Sequence, residues 1–145
     1  RIPYFPFNIK DFDRHSKELK VMVLPNVAGL SDAECAALRK FVRDGGSLIA
    51  TGVSSLYDED GEPRRDFGLA DVLGVNLIGA APERGAFNDV SAHSYLRLEG
   101  APGARHPTLR GFDGTDIVAY GGIPVKLKVA AGRQRRAAVE DADII

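Results

Sequence analysis

Along the chain, short continuous apolar runs are separated by one well-marked amphipathic stretch, and this rhythm predicts the fold class. Val21-Met22-Val23-Leu24 is an uninterrupted apolar run ended by Pro25. Such a run, without alternation, predicts a strand buried on both faces, as in a parallel sheet. Pro25 to Gly29 then reads as loop. Ser31, with Glu34 three residues later, has the spacing of a capping box, in which each side chain takes a backbone N–H that the helix leaves free. Behind it Ala37, Leu38, Phe41 and Val42 recur at helical spacing and form one apolar stripe. Lys40 and Arg43 stand near the end, where positive charge opposes the helix dipole. Gly45-Gly46 supplies a left-handed stop, and Ser47 to Gly52 reads as a second buried strand. Strand, helix and strand within roughly thirty residues make a βαβ unit, with parallel strands and a right-handed crossover.

The flanking pattern is weaker. Ile2 to Phe7 is apolar and aromatic, but Pro3 and Pro6 exclude a central strand and predict an edge strand or an extended lead-in. Asn8 to Lys20 is polar, with a short helix expected around Phe12 to Leu19. Ser54 to Asp66 reads as a long polar loop. Asp66 is expected to cap a short helix through Phe67, Leu69, Ala70 and Leu73, stopped by Gly74. Val75 to Ile78 is a third short apolar run, and Gly79 to Ala92 is loop-like. Ser94 to Leu98 alternates like a half-exposed strand. His106 to Leu109 begins a turn or a single helical turn. Asp116 to Tyr120 and Val125 to Val129 form an expected hairpin around Gly121-Gly122. The expected fold is therefore one three-layer α/β domain, flavodoxin-like, with a mainly parallel sheet and an antiparallel C-terminal hairpin.

Composition changes this picture little. The chain has 145 residues, the size of one domain, and a formal net charge of −1. Near-neutrality gives no argument for nucleic acid as a partner. No apolar run approaches the ~20 residues of a membrane span, so no membrane partner is expected. One cysteine excludes an internal disulfide without fixing the compartment, for which the cytoplasm is the default. The chain starts on Arg1 and stops on Ile144-Ile145, and it reads as a piece of a larger protein.

Three stretches carry a resemblance. They are Lys20 to Asn26 with Leu30-Ser31-Asp32; Phe41-Val42-Arg43-Asp44-Gly45-Gly46-Ser47-Leu48-Ile49-Ala50-Thr51-Gly52; and, further on, Ser55 to Asp58, Asp66 to Val75 and His106-Pro107. As a set they resemble the β-galactosidase trimerisation domain and its relatives in hypothetical glycoside hydrolases, within the class I glutamine amidotransferase-like superfamily. The resemblance covers most of Lys20 to Gly122. It implies a catalytic barrel upstream on the same chain, which would hold the sugar chemistry. It also implies a homo-oligomer, a trimer in the β-galactosidase relatives. The usual first strand and helix of the superfamily are truncated or missing at the start.

An active class I amidotransferase has a cysteine on a strained turn after a strand, with glycine two positions before and two after. Here the Leu48–Gly52 strand is followed by Val53-Ser54-Ser55, with no thiol. Cys35 falls inside the capped helix, where it reads as a small hydrophobe. Ser54 or Ser55 could replace the thiol, with His93 or His106 as base. Gly52-Val53-Ser54 gives half of a nucleophile elbow, but position 56 is Leu56 rather than glycine, so solvated loop serines are the plainer reading. A small ligand or sugar would meet the carboxyl ends of the strands, where Asn26, Thr51, Tyr57 and Asp58 are the candidate contacts. Asp58 to Glu62 holds only a fragment of a calcium loop, and Arg64-Arg65 partly neutralises it. His15, His93 and His106 have no metal-ligand spacing, so no metal is expected. Gly45-Gly46 closes a helix rather than opening one, so no cofactor is expected either. The basic positions Lys126, Lys128, Arg133, Arg135 and Arg136 lack an aromatic platform. The function expected is a noncatalytic accessory or oligomerisation domain of a glycoside hydrolase. The alternatives are a divergent amidotransferase or serine hydrolase, and a sugar-binding module.

Overall fold

The structure, a computed structural model, describes residues 3–82, 94–98, 100, 105–120 and 125–130. A 3-10 turn at Ile9–Asp11 leads into α1 (Phe12–His15). Then come β1 (Val21–Leu24), α2 (Asp32–Arg43) and β2 (Ser47–Ala50). They are followed by α3 (Ala70–Leu73), β3 (Val75–Leu77), β4 (Ser94–Arg97), β5 (Ile117–Tyr120) and β6 (Leu127–Val129).

The βαβ unit forms as its pattern dictates. β1 and β2 are parallel, with Met22 opposite Leu48 and Leu24 opposite Ala50. α2 begins on a complete capping box. The Glu34 N–H donates to Ser31 Oγ (3.2 Å) and the Ser31 N–H to Glu34 Oε2 (2.8 Å). A serine cap of this kind contributes about 1 kcal/mol. Cys35, Leu38 and Phe41 are buried on its inner face. They meet Met22 and Leu24 from β1 and Phe12 from α1 in one core cluster. The Phe12 and Phe41 rings meet edge to face, 5.9 Å apart at 83°.

The two glycines after α2 do different work. Gly45 takes φ +103°, the left-handed stop. Gly46 is needed for space, because a Cβ there would collide with the Phe41 ring.

Several expectations are corrected. β1 is not buried on both faces: Met22 and Leu24 point inward, whereas Val21 and Val23 are 49% and 53% exposed and Ile49 on β2 is 51% exposed. The reason is that, among the described residues, helices cover this sheet from one side only. The third apolar run forms β3, which pairs antiparallel, so the described sheets are not mainly parallel. The expected hairpin of Asp116–Tyr120 with Val125–Val129 does not form either. β5 pairs antiparallel with β4, placing Val118 opposite Leu96, and β6 pairs antiparallel with β3, placing Leu127 opposite Leu77. Burial selects that pairing. Val125 and Leu127 pack into a second core cluster with Val53, Leu56, Tyr57 and Phe67, and Val75 on β3 is itself buried. The helix expected at Phe12 to Leu19 stops at His15.

Asp66 does not cap α3, whose N-cap is Leu69 without a side-chain bond. Its Oδ1 instead accepts from the N–H of Phe67 and of Leu77 (both 2.8 Å), and its Oδ2 accepts from Asn76 Nδ2 (2.7 Å). It therefore ties the loop to β3. Gly74, at φ +74°, ends α3. Pro3 to Phe7 is an extended lead-in rather than a strand.

Candidate functional site

In a parallel α/β sheet, ligands collect where the strands end. Here the loops leaving β1 and β2 do meet, but they meet by bonding to each other. The Asn26 N–H donates to Thr51 Oγ1 and the Val53 N–H to Asn26 Oδ1, each at 3.0 Å. Asn26 sits at φ +56°, a conformation that asparagine tolerates better than most residues. Gly52, at φ +60°, lies so close that a Cβ would strike the Asn26 side chain.

Ser54 and Ser55 are 1% and 0% exposed. The expectation of solvated loop serines is therefore overturned. The Ser54 hydroxyl accepts from the Val27 N–H (3.0 Å) and faces the carbonyls of Thr51 (2.7 Å) and Leu24 (3.1 Å). Ser55 adopts φ +67°, and its Oγ accepts from the Leu69 N–H (3.2 Å). Its backbone joins Val27 O on one side and the Gly68 N–H on the other. A nucleophile must present its oxygen to a substrate. These two present theirs to the backbone and weld the turn after β2 to the loop after β1 and to the start of α3.

Tyr57 is buried too, with its hydroxyl donating to Pro82 O. Asp58 is half-buried, and its Oδ1 accepts from the N–H of Asp60 (3.0 Å) and of Glu62 (2.8 Å), closing the acidic loop on itself. Asn26 and Thr51 reach the surface but already serve each other's loops. His106 is exposed beside the turn Pro107–Leu109, and His93 lies outside the described residues. Among the described residues no group of three or more metal-ligating side chains gathers, and no helix is long and apolar enough to cross a membrane.

Cys35 is buried in α2, and burial pushes its thiol above the ordinary range, with Arg64 and Arg39 pulling the other way. A Cβ on Gly68 would lie 2.9 Å from its sulfur. The surrounding arginines were not legible as a group in the sequence. Arg64 spans from Asp32 (Nη1 to Oδ1, 2.7 Å) to Leu30 O (Nη2, 2.8 Å), and Arg39 Nε donates to Asp71 (3.0 Å). They fasten the ends of α2 and α3 to the loop. Burial alone would raise the Asp66 carboxyl, but the Asn76 amide and the N–H groups of Leu77 and Phe67 outweigh it and hold it below the ordinary carboxylate range.

A different opening lies along β1. A cavity of about 730 Å³ is lined by Tyr4, Phe5 and Phe7 of the lead-in together with Val21, Val23 and Val27.

No protein-family model and no curated protein matches the chain. Solved structures do. Gan42B, a GH42 beta-galactosidase, matches at 18% identity and a TM-score of 0.54, over 82% of this chain and 15% of that one. A catalytic mutant of Gan42B from G. stearothermophilus matches at 19% identity and a TM-score of 0.50, over 77% and 14%. A beta-galactosidase from Bifidobacterium adolescentis matches at 20% identity over 77% of this chain and 66% of that one, with a TM-score of 0.39. The chain thus spans about 15% of the length of the Gan42B structures, and the likeness is one of fold.

Proposed function

We propose that this chain is a noncatalytic accessory domain of a β-galactosidase-like glycoside hydrolase, holding catalytic barrels in an assembly rather than cutting sugars itself. The observation that carries the reading is the turn after β2. The place where a related amidotransferase holds its nucleophile is filled by Ser54 and Ser55, whose hydroxyls are buried and bonded to the backbone. The likeness to a small part of two GH42 beta-galactosidase structures supports the glycosidase context. The three-layer, flavodoxin-like form belongs to the same proposal: it requires a helical layer over the outer face of the sheet, where Val21, Val23 and Ile49 now stand exposed. A barrel elsewhere on the same polypeptide is the partner this reading demands. Sedimentation of the full-length protein, with and without this domain, tests it. Loss of the oligomer on deletion is expected, and an unchanged oligomer refutes the assembly role.

A further inference from the structure

Three aspartates in the chain, Asp44, Asp60 and Asp113, are followed directly by glycine. In such a pair the glycine nitrogen can reach the neighbouring carboxyl carbon, because no Cβ stands in the way of so close a backbone approach. The fold treats the three pairs differently. The Gly45 N–H donates to Val42 O (3.1 Å) in the closing turn of α2, and the Asp44 carboxylate is paired with Lys40. The Gly61 N–H donates to Asp58 O (3.1 Å), inside the loop that Asp58 closes on itself. Asp113 and Gly114 instead form the tip of an exposed turn, across which the Thr115 N–H donates to Phe112 O (2.9 Å). Among the described residues neither the Asp113 carboxylate nor the Gly114 N–H has a hydrogen-bond partner. A Cβ built on Gly114 would meet nothing within 4 Å.

We propose that Asp113 is a site of spontaneous isoaspartate formation, and that the fold directs the reaction to this pair rather than to the other two. The Gly114 nitrogen attacks Cγ of the protonated Asp113 carboxyl. A C–N bond forms, a Cγ–O bond breaks, and the hydroxyl leaves with the amide proton as water. Water then opens the cyclic imide. Attack at Cγ restores aspartate, and attack at the main-chain carbon leaves the backbone running through Cβ and Cγ. The water lost is regained, so the step consumes no oxidant, reductant or other reagent. The product keeps its negative charge but lengthens the backbone by a carbon atom between Phe112 and Thr115. Arg105 Nη1 donates to the carbonyls of these same two residues (2.6 and 2.8 Å). The Arg105 side chain is 4% exposed, and its Nη2 donates to Asp116 Oδ1 (2.6 Å) just before β5. A buried donor that loses its acceptor is costly. Isomerisation therefore loosens the clasp of Arg105 on this turn, and the pairing of β4 with β5 weakens with it.

The full-length protein is held at physiological temperature for weeks in heavy-oxygen water and then digested. Its peptides are mapped by electron-transfer mass spectrometry, which separates isoaspartate from aspartate. Isoaspartate at Asp113 should exceed that at Asp44 and at Asp60 several-fold, with the oxygen label taken up at the same residue. Gly114→Ala places a methyl group in open space, where it obstructs the attack without striking a neighbour, and should lower the product at Asp113 several-fold. In urea the three rates should converge, because the selection lies in the fold. In the isomerised fraction the amides of β4 and β5 should exchange with solvent faster than in the fresh protein. Absence of isoaspartate at Asp113, equal amounts at the three pairs in the native protein, or an unchanged yield in Gly114→Ala would overturn the inference. A spread of rates that survived in urea would remove the role of the fold, and unchanged amide exchange would remove the effect on Arg105.

Discussion

Phe41 and Gly46 should be energetically coupled, and the coupling can be worked from the structure. Phe41 is buried against Phe12, and its ring lies over the Cα of Gly46. Phe41→Ala removes a buried aromatic side chain and leaves a cavity, an effect of about 3–5 kcal/mol. Gly46→Ala pushes a methyl group into the ring, and the expected loss from this overpacking is about 1–3 kcal/mol. In the double variant the methyl meets empty space instead of a ring. The second substitution should then be nearly free, and the total should fall short of the sum by about 1–3 kcal/mol. Urea titrations of the four proteins, followed by circular dichroism, measure all the terms. A domain of this size has roughly 5–15 kcal/mol to lose, so the single variants should retain a measurable transition. Additivity within about 0.5 kcal/mol would refute the contact between the Phe41 ring and Gly46.

Two further outcomes follow from the loop bonds. Ser55→Ala strips the acceptor from the buried Leu69 N–H and should lower stability by about 1–3 kcal/mol. It should leave any galactoside or ester hydrolysis by the chain unchanged; activity that vanished while the urea midpoint held would restore the enzyme reading. Asp66 has a folded-state pKa below its unfolded value, so its contribution is present above the unfolded value near pH 4 and disappears as pH falls through the lower, folded one. The urea midpoint of the native chain should therefore drop more steeply below about pH 4 than that of Asp66→Ala. Parallel curves would show that the latch to β3 is absent.

What could be read in advance was local. Ser31 and Glu34, the stripe of Leu38 and Phe41, and the glycine stop all lie within a few residues of the structure they specify, and the parallel pair follows from two short apolar runs around them. The strand pairings beyond Thr51 were not legible, because β6 chooses β3 through a cluster whose members, Val53, Leu56, Phe67 and Leu127, are scattered along the chain. Nor was the burial of Ser54 and Ser55 legible. A serine in a polar stretch looks solvated until Val27 and Leu69, brought from elsewhere, supply N–H groups that need acceptors. Asp66 misled for a related reason: its position suits a helix cap, but besides the adjacent Phe67 N–H the groups it serves are ten or eleven residues on, at no helical or strand period.

The weld between the loops after β1 and β2 has a mechanical consequence. Hinged domains need a few residues able to absorb a change in backbone angle. Here the natural pivots, Asn26, Gly52 and Ser55, are held in left-handed conformations, Asn26 and Ser55 are cross-bonded, and Gly52 packs against the Asn26 side chain. Force applied to α2 would move β1 and β2 together as one plate, with no clamshell motion between the two strands.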